Sequence, residues 1–134
     1  MELLFRIPGS EESSSPFESA LWRMAESGRV DLAVPYLSVA ILRDVVSRTK
    51  AFRLVTDAEE WLRAYARPAR REILDVIRQH SSDIRHYRDL HAKVALSPTL
   101  VMLGSANFTA RGFHIRHAVG ALLNDSAQVA SLAE

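Results

Sequence analysis

Three short apolar runs, Glu2 to Ile7, Val30 to Tyr36 (VDLAVPY) and Phe52 to Thr56 (FRLVT), alternate with segments of helical spacing. Strands leave edges unpaired and helices leave an apolar stripe exposed, so units alternating in this way bury both by laying helices on a shared sheet. The helical segments carry their own start and stop signals. Pro8 to Ser15 (PGSEESSS) is a loop whose last serine can cap a helix, Pro16 holds the favoured first helical position, and Gly28 ends the segment after Phe17, Leu21, Trp22, Met24 and Ala25. Ser38 is placed to cap a second helix that buries Val39, Leu42, Val45 and Val46. Asp57, with Glu60 three residues on, has the form of a capping box ahead of Trp61, Leu62 and Tyr65, and Pro68 restarts a helical pattern through Ile73, Leu74 and Ile77. Trp22 and Trp61 lie on apolar stripes and read as core.

From Asp83 onward the pattern changes to strands: Ile84 to Tyr87, His91 to Leu96, Leu100 to Leu103 and Ala118 to Leu123, broken by Ser97-Pro98 and by Thr109 to Gly112. The expectation is an α/β fold, a mixed β-sheet flanked by helices on both faces, in one domain over residues 1–134. A chain of 134 residues can bury its own core, and 48% apolar with 25% charged residues exclude disordered and fibrous classes. The net charge of +1 gives no strong field over the whole molecule, so a phosphate-facing surface has to be local. From Arg78 to Arg116 six basic residues face only Asp83 and Asp89, and all five histidines lie between His80 and His117. The absence of cysteine excludes disulfides, thiolate metal sites and cysteine nucleophiles. The first residues (MELLFRIP) lack a basic leader and no apolar stretch reaches the ~20 residues of a bilayer span, which predicts a cytoplasmic protein without membrane contact.

The chemistry concentrates around His91. One residue separates it from Lys93, so on a predicted strand the pleat turns both side chains to one face while Ala92 and Val94 face the other. Eleven residues after Lys93 comes Gly104-Ser105-Ala106-Asn107, where Ser105 and Asn107 again share a face and Gly104 permits close backbone approach. Cleaving a phosphodiester requires a nucleophile or base, charge stabilisation for the phosphoryl oxygens and a proton for the leaving alkoxide. Imidazole, ammonium and neutral donors supply all three without a metal. One copy is insufficient, because a histidine acting as nucleophile cannot also protonate the leaving group on the far side of phosphorus.

The run LHAKVAL, a turn, and then LVMLGSANFT resemble the signature of the phospholipase D superfamily, His-x-Lys followed by Gly-Ser-x-Asn. VDLAVPYLS with its helix, FRLVTD and HAVGALLND look like other elements of that fold. The resemblance implies His91 as the nucleophile forming a phosphohistidine, Lys93 and Asn107 as phosphate binders, and Ser105 as a positioning group. Superfamily members with one motif per chain act as homodimers, and this chain has one motif. The resemblance departs at two places: Pro98 stands where an aspartate is usual and Ala118 where a glutamate is common. His117 or His114 could substitute for that glutamate. The Thr109-Ala110-Arg111-Gly112-Phe113 loop resembles nuclease-like members, making Gly104, Thr109 and Arg111 candidates for substrate contact. These features point to a homodimeric nuclease that needs no cofactor or metal, with DNA ahead of RNA as substrate. The other readings are an inactive phosphate- or nucleic-acid-binding module, a phospholipase, or one domain of a larger helicase or restriction enzyme.

Three further groups carry less. His86 reads as a surface strand residue, His80 is assigned no role, and His114-x-x-His117 lacks a third metal ligand of suitable spacing. Arg67, Arg70, Arg71 and Arg78 read as a solvated face balanced by Glu72 and Asp75.

Overall fold

The computed structural model describes residues 1–6, 15–105, 107–109 and 118–124. Seven strands and four helices follow in the order β1 (Glu2–Arg6), α1 (Pro16–Glu26), β2 (Arg29–Ala33), α2 (Val39–Arg48), β3 (Ala51–Thr56), α3 (Ala58–Arg63), α4 (Ala69–Gln79), β4 (Ile84–His86), β5 (Val94–Leu96), β6 (Val101–Gly104) and β7 (Ala118–Leu123). They form one mixed sheet in the order β1-β7-β6-β5-β2-β3-β4. β2, β3 and β4 pair in parallel, whereas β5, β6, β7 and β1 join through antiparallel ladders.

Alternation of side chains across the register shows which face is covered. Val30, Leu32, Phe52, Leu54, Ile84, Ala95, Met102 and Leu122 lie on one face and are buried against Phe17, Leu21 and Met24 of α1, Leu42 and Val45 of α2, and Ile73 and Val76 of α4. Connections from β1 to β2, β2 to β3 and β3 to β4 all step the same way between parallel strands, so right-handed crossovers bring their helices to that one face. On the other face Leu3, Phe5 and Val119 are each about half exposed, and Asp31 is bonded by both nitrogens of the Arg53 fork at 3.0 and 2.7 Å. The α/β class and the mixed sheet are as expected. Of the two helical layers expected, the described residues supply one.

Several local expectations shift. Ser15 and Ser38 occupy the N-cap positions of α1 and α2, but neither hydroxyl caps its helix; Asp57 caps α3 by accepting the Glu60 amide at 3.1 Å. The capping box is not reciprocal, because the Glu60 carboxylate takes Arg63 at 2.7 Å instead. Arg70 is no free solvated cation: its Nε donates to the Leu62 and Tyr65 carbonyls at 2.9 and 3.1 Å, satisfying the end of α3. Trp61 is fully buried, whereas Trp22 is only partly covered and lies under Arg48, with 4.7 Å from the guanidinium carbon to the ring centre.

Gly104 and Gly120 face one another across β6 and β7. A Cβ on Gly120 would stand 2.6 Å from the Leu103 carbonyl oxygen and 2.8 Å from the Phe17 ring, and the backbone oxygen cannot rotate away. Gly120→Ala is therefore expected to lower stability by about 1–3 kcal/mol, the range for overpacking a filled interior, as measured by urea unfolding. An unchanged unfolding midpoint would show that the two strands and the Phe17 ring are not packed this closely.

Candidate active site

The carboxyl ends of β2, β3, β4 and β6 lie at the same edge of the sheet, the usual place for a site in an open α/β fold. The loop after β2 and the segment after β6 are fastened together there. Leu37 and Phe108 form a parallel bridge, the Ser38 amide donates to the Phe108 carbonyl at 2.9 Å, and the Trp61 indole N–H donates to the Leu37 carbonyl at 2.7 Å. Leu37, Phe108 and Trp61 are almost wholly buried. Residues on either side of this junction are consequently set by the core.

His91, Lys93 and Asn107 line one open pocket of about 340 Å³ at this edge, together with Tyr36, Asp57, Glu60 and Asp89. The three residues come from two separate stretches of chain, before β5 and after β6. The expected strand from His91 shortens: β5 begins at Val94, and His91 and Lys93 belong to the segment leading into it. Both still line the pocket. His91 is exposed and Lys93 half-buried. Asn107 donates from Nδ2 to the Tyr36 hydroxyl at 3.2 Å, while its buried Oδ1 has no hydrogen-bond partner among the described residues.

Asp57 holds the approach to His91. One carboxylate oxygen accepts the Glu60 amide and the other accepts the Asp89 amide at 2.9 Å. Asp89 has a positive φ of 60°, a left-handed turn position that Asp tolerates better than most residues, and it stands two residues before His91. The exposed His86 ring accepts the Ala58 amide at Nδ1, 3.0 Å away, so its remaining ring hydrogen is on Nε2. The Glu60 amide does most to hold the Asp57 carboxyl below its ordinary value of 3.8; burial opposes this and the Asp89 amide adds to it.

Other expected site residues stand elsewhere. The Ser105 hydroxyl accepts the Val119 amide at 3.1 Å and lies 3.2 Å from the Val119 carbonyl, so it closes the β6–β7 ladder and is not part of the pocket lining. Its expected common face with Asn107 does not form, because β6 ends at Gly104. Gly104 does permit close approach, but of Gly120 and the Val119 carbonyl. The Thr109 amide donates to the Asn107 carbonyl at 2.8 Å. Arg111, His114 and His117 lie outside the described residues. Pro98 sits in the turn between β5 and β6, where the Ser97 amide donates to the Leu100 carbonyl at 2.8 Å, at the far end of β5 from Lys93. Ala118 opens β7 at the pocket end of the sheet. Among the described residues, no group of three His, Asp or Glu side chains could hold a metal ion, and no helix is long and apolar enough to cross a membrane.

Tyr36, Asp57 and Asp89 were not singled out from the sequence as site residues. The only local signal was the cap pattern at Asp57.

The pH dependence of stability follows from Asp57. A carboxyl whose folded pKa is depressed contributes stability above its unfolded value near 3.8, and this is lost as pH falls through the lower folded value. Asp57→Asn keeps one acceptor but sets an amide donor against the Asp89 N–H. We expect it to melt below the wild type at pH 7, the gap narrowing as the pH is taken below about 4. Parallel melting curves from pH 7 to pH 2, with no narrowing, would show that this carboxylate is not held ionised by those amides.

A search of curated protein sequences finds no match. The family model described as "Cardiolipin synthase, PLD-like domain" matches residues 22–134. Among solved structures the chain is similar to NucT from Helicobacter pylori, with a TM-score of 0.67 and 16% identity over 98% of this chain and 89% of that one. Nuc from Salmonella typhimurium, a phospholipase D family member, gives a TM-score of 0.67 and 16% identity over 98% of this chain and 90% of that one. TrmBL2, an archaeal chromatin protein with a novel mode of DNA binding, gives 0.60 and 15% over 98% of this chain and 48% of that one. At these identities the likeness is one of fold, and with the family model matched over most of its length the chain belongs to the phospholipase D-like family.

Proposed function

We propose that the protein is a metal-independent phosphodiesterase, a nuclease acting on DNA, whose active site is completed across a homodimer. The observation that carries this reading is the convergence of His91, Lys93 and Asn107 on one open pocket. In the first step the His91 imidazole attacks phosphorus, a P–N bond forms, the P–O bond to the leaving alkoxide breaks, and the His91 of a second copy donates the proton that alkoxide needs. In the second step that same second histidine, now neutral, removes a proton from water; the water oxygen attacks phosphorus, and the P–N bond breaks to release His91. Lys93 supplies positive charge to the phosphoryl oxygens and the Asn107 amide a neutral donor. The exposure of His91 supports the dimer, since a ring that must meet a symmetry mate cannot be enclosed by its own chain.

Ser105 enters this reading by fastening the end of β6 to Val119, and Gly104 by admitting Gly120, just before the segment that carries Asn107. Arg111 and Thr109 remain candidate contacts to a longer nucleic-acid strand. The fold shared with Nuc and NucT supports nucleic acid as substrate, and the local excess of basic residues between Arg78 and Arg116 agrees with it.

A second reading is favoured by Ala118 at the pocket end of β7 and by the likeness to a DNA-binding chromatin protein: a module of the same fold that binds DNA phosphate without turnover. The two are separated by assaying bis-p-nitrophenyl phosphate and single-stranded DNA in excess chelator over a range of protein concentrations. The nuclease reading predicts hydrolysis whose specific activity rises with concentration as dimers form, and a fall of at least ~10³-fold for His91→Ala, in keeping with loss of a nucleophile. DNA binding without hydrolysis at any concentration would establish the module instead.

A further inference from the structure

We propose that Tyr36 is the positioning residue for Asn107: its hydroxyl fixes the side-chain amide in the orientation that meets the substrate phosphate. The inference rests on the phosphate-site reading of the pocket and assigns a role to a residue outside the His-x-Lys and Gly-Ser-x-Asn pattern.

Asn107 follows β6 in a short segment where its own strand no longer fixes it. An asparagine side chain in such a place has freedom at both torsions, and a donor that must be relearned at each turnover contributes little to transition-state charge stabilisation. Here the amide nitrogen is 3.2 Å from the Tyr36 hydroxyl oxygen, which accepts one of its two N–H groups. With that bond made, the amide's other N–H remains for a ligand. Tyr36 and Asn107 line the pocket alongside His91 and Lys93, so a phosphate held by Lys93 lies within the same enclosure.

The tyrosine can act as an anchor because it is itself anchored. The carbonyl of the next residue, Leu37, takes the Trp61 indole N–H at 2.7 Å, and Leu37 bridges to Phe108, the residue after Asn107. The Ser38 amide bonds the Phe108 carbonyl at 2.9 Å. Backbone on both sides of the Tyr36–Asn107 bond is thus cross-linked, and the side-chain bond closes the same ring of contacts. Tyr36 also packs part of its ring against the core. Tyr36→Phe removes the hydroxyl and keeps the ring.

The test is a double-mutant cycle on the full chain, with Tyr36→Phe, Asn107→Ala and the pair. Binding of inorganic phosphate is read by NMR titration and hydrolysis of bis-p-nitrophenyl phosphate by initial rates. The inference predicts that Tyr36→Phe keeps the wild-type melting temperature, shifts the Asn107 side-chain amide resonances, and weakens phosphate binding about 3- to 10-fold, the size of one neutral hydrogen bond. In the Asn107→Ala background the same substitution should change binding less than about twofold, because the group it positions is gone. Equal losses in both backgrounds, unmoved Asn107 resonances, or a wild type that binds no phosphate would each overturn the assignment. Failure of the phosphodiesterase reading is a separate result: phosphate binding that shows the Tyr36–Asn107 coupling but no hydrolysis by the wild type removes the enzyme and leaves the positioning role.

Discussion

Leu37 and Phe108 meet in a single bridge, and through it two loops that no strand ladder joins are held side by side. β2 and β6 are separated in the sheet by β5, and sheet twist turns each strand further from its second neighbour, so loops leaving β2 and β6 would diverge if nothing tied them. The tie is apolar and internal. Leu37 and Phe108 are buried, and Trp61 packs in the same core while its N–H donates to the Leu37 carbonyl. An indole N–H and a carbonyl left unpaired at that depth would each cost about 1–3 kcal/mol, so the bond discriminates strongly against arrangements that separate the loops. The site therefore inherits its rigidity from the hydrophobic core.

The same logic explains which parts of the molecule were legible in the sequence. Element alternation, the start of α1 at Pro16, the end of α1 before Gly28 and the grouping of His91 with Lys93 all depend on residues within one turn or one strand of each other, where spacing is informative. What the sequence hides is contact between distant residues. Asn107 and Tyr36 are 71 positions apart, and Asp57 and Asp89 are 32 apart. Ser105 shows the opposite error: alternation projected along β6 pairs it with Asn107, but the ladder ends at Gly104 and the hydroxyl finds the Val119 backbone instead. Ser38 repeats it at α2, where the N-cap position is read correctly and the hydroxyl does not cap.

Three acids, Asp57, Glu60 and Asp89, line the same pocket as His91 and Lys93. The two carboxylate oxygens of Asp57 are occupied by backbone amides, and Glu60 is engaged by Arg63 at 2.7 Å. Each is thereby tied to neighbours on or beside α3. The carboxylate of Asp57 is balanced by the N-terminus of α3 and by the amide of the turn before His91, both of which carry partial positive charge.

The two departures from the superfamily pattern then carry unequal weight. Pro98 lies in the β5–β6 turn, beyond the far end of the strand that follows Lys93, where the turn is already closed by Ser97 and Leu100. A proline suits such a turn and its presence there leaves the pocket untouched. Ala118 is different, because β7 starts at the pocket end of the sheet. On the other side of the pocket Asp57 accepts the Asp89 amide, Asp89 holds a left-handed turn, and His91 follows two residues later. The turn that leads into His91 is thereby tied, through one buried carboxylate, to the start of α3.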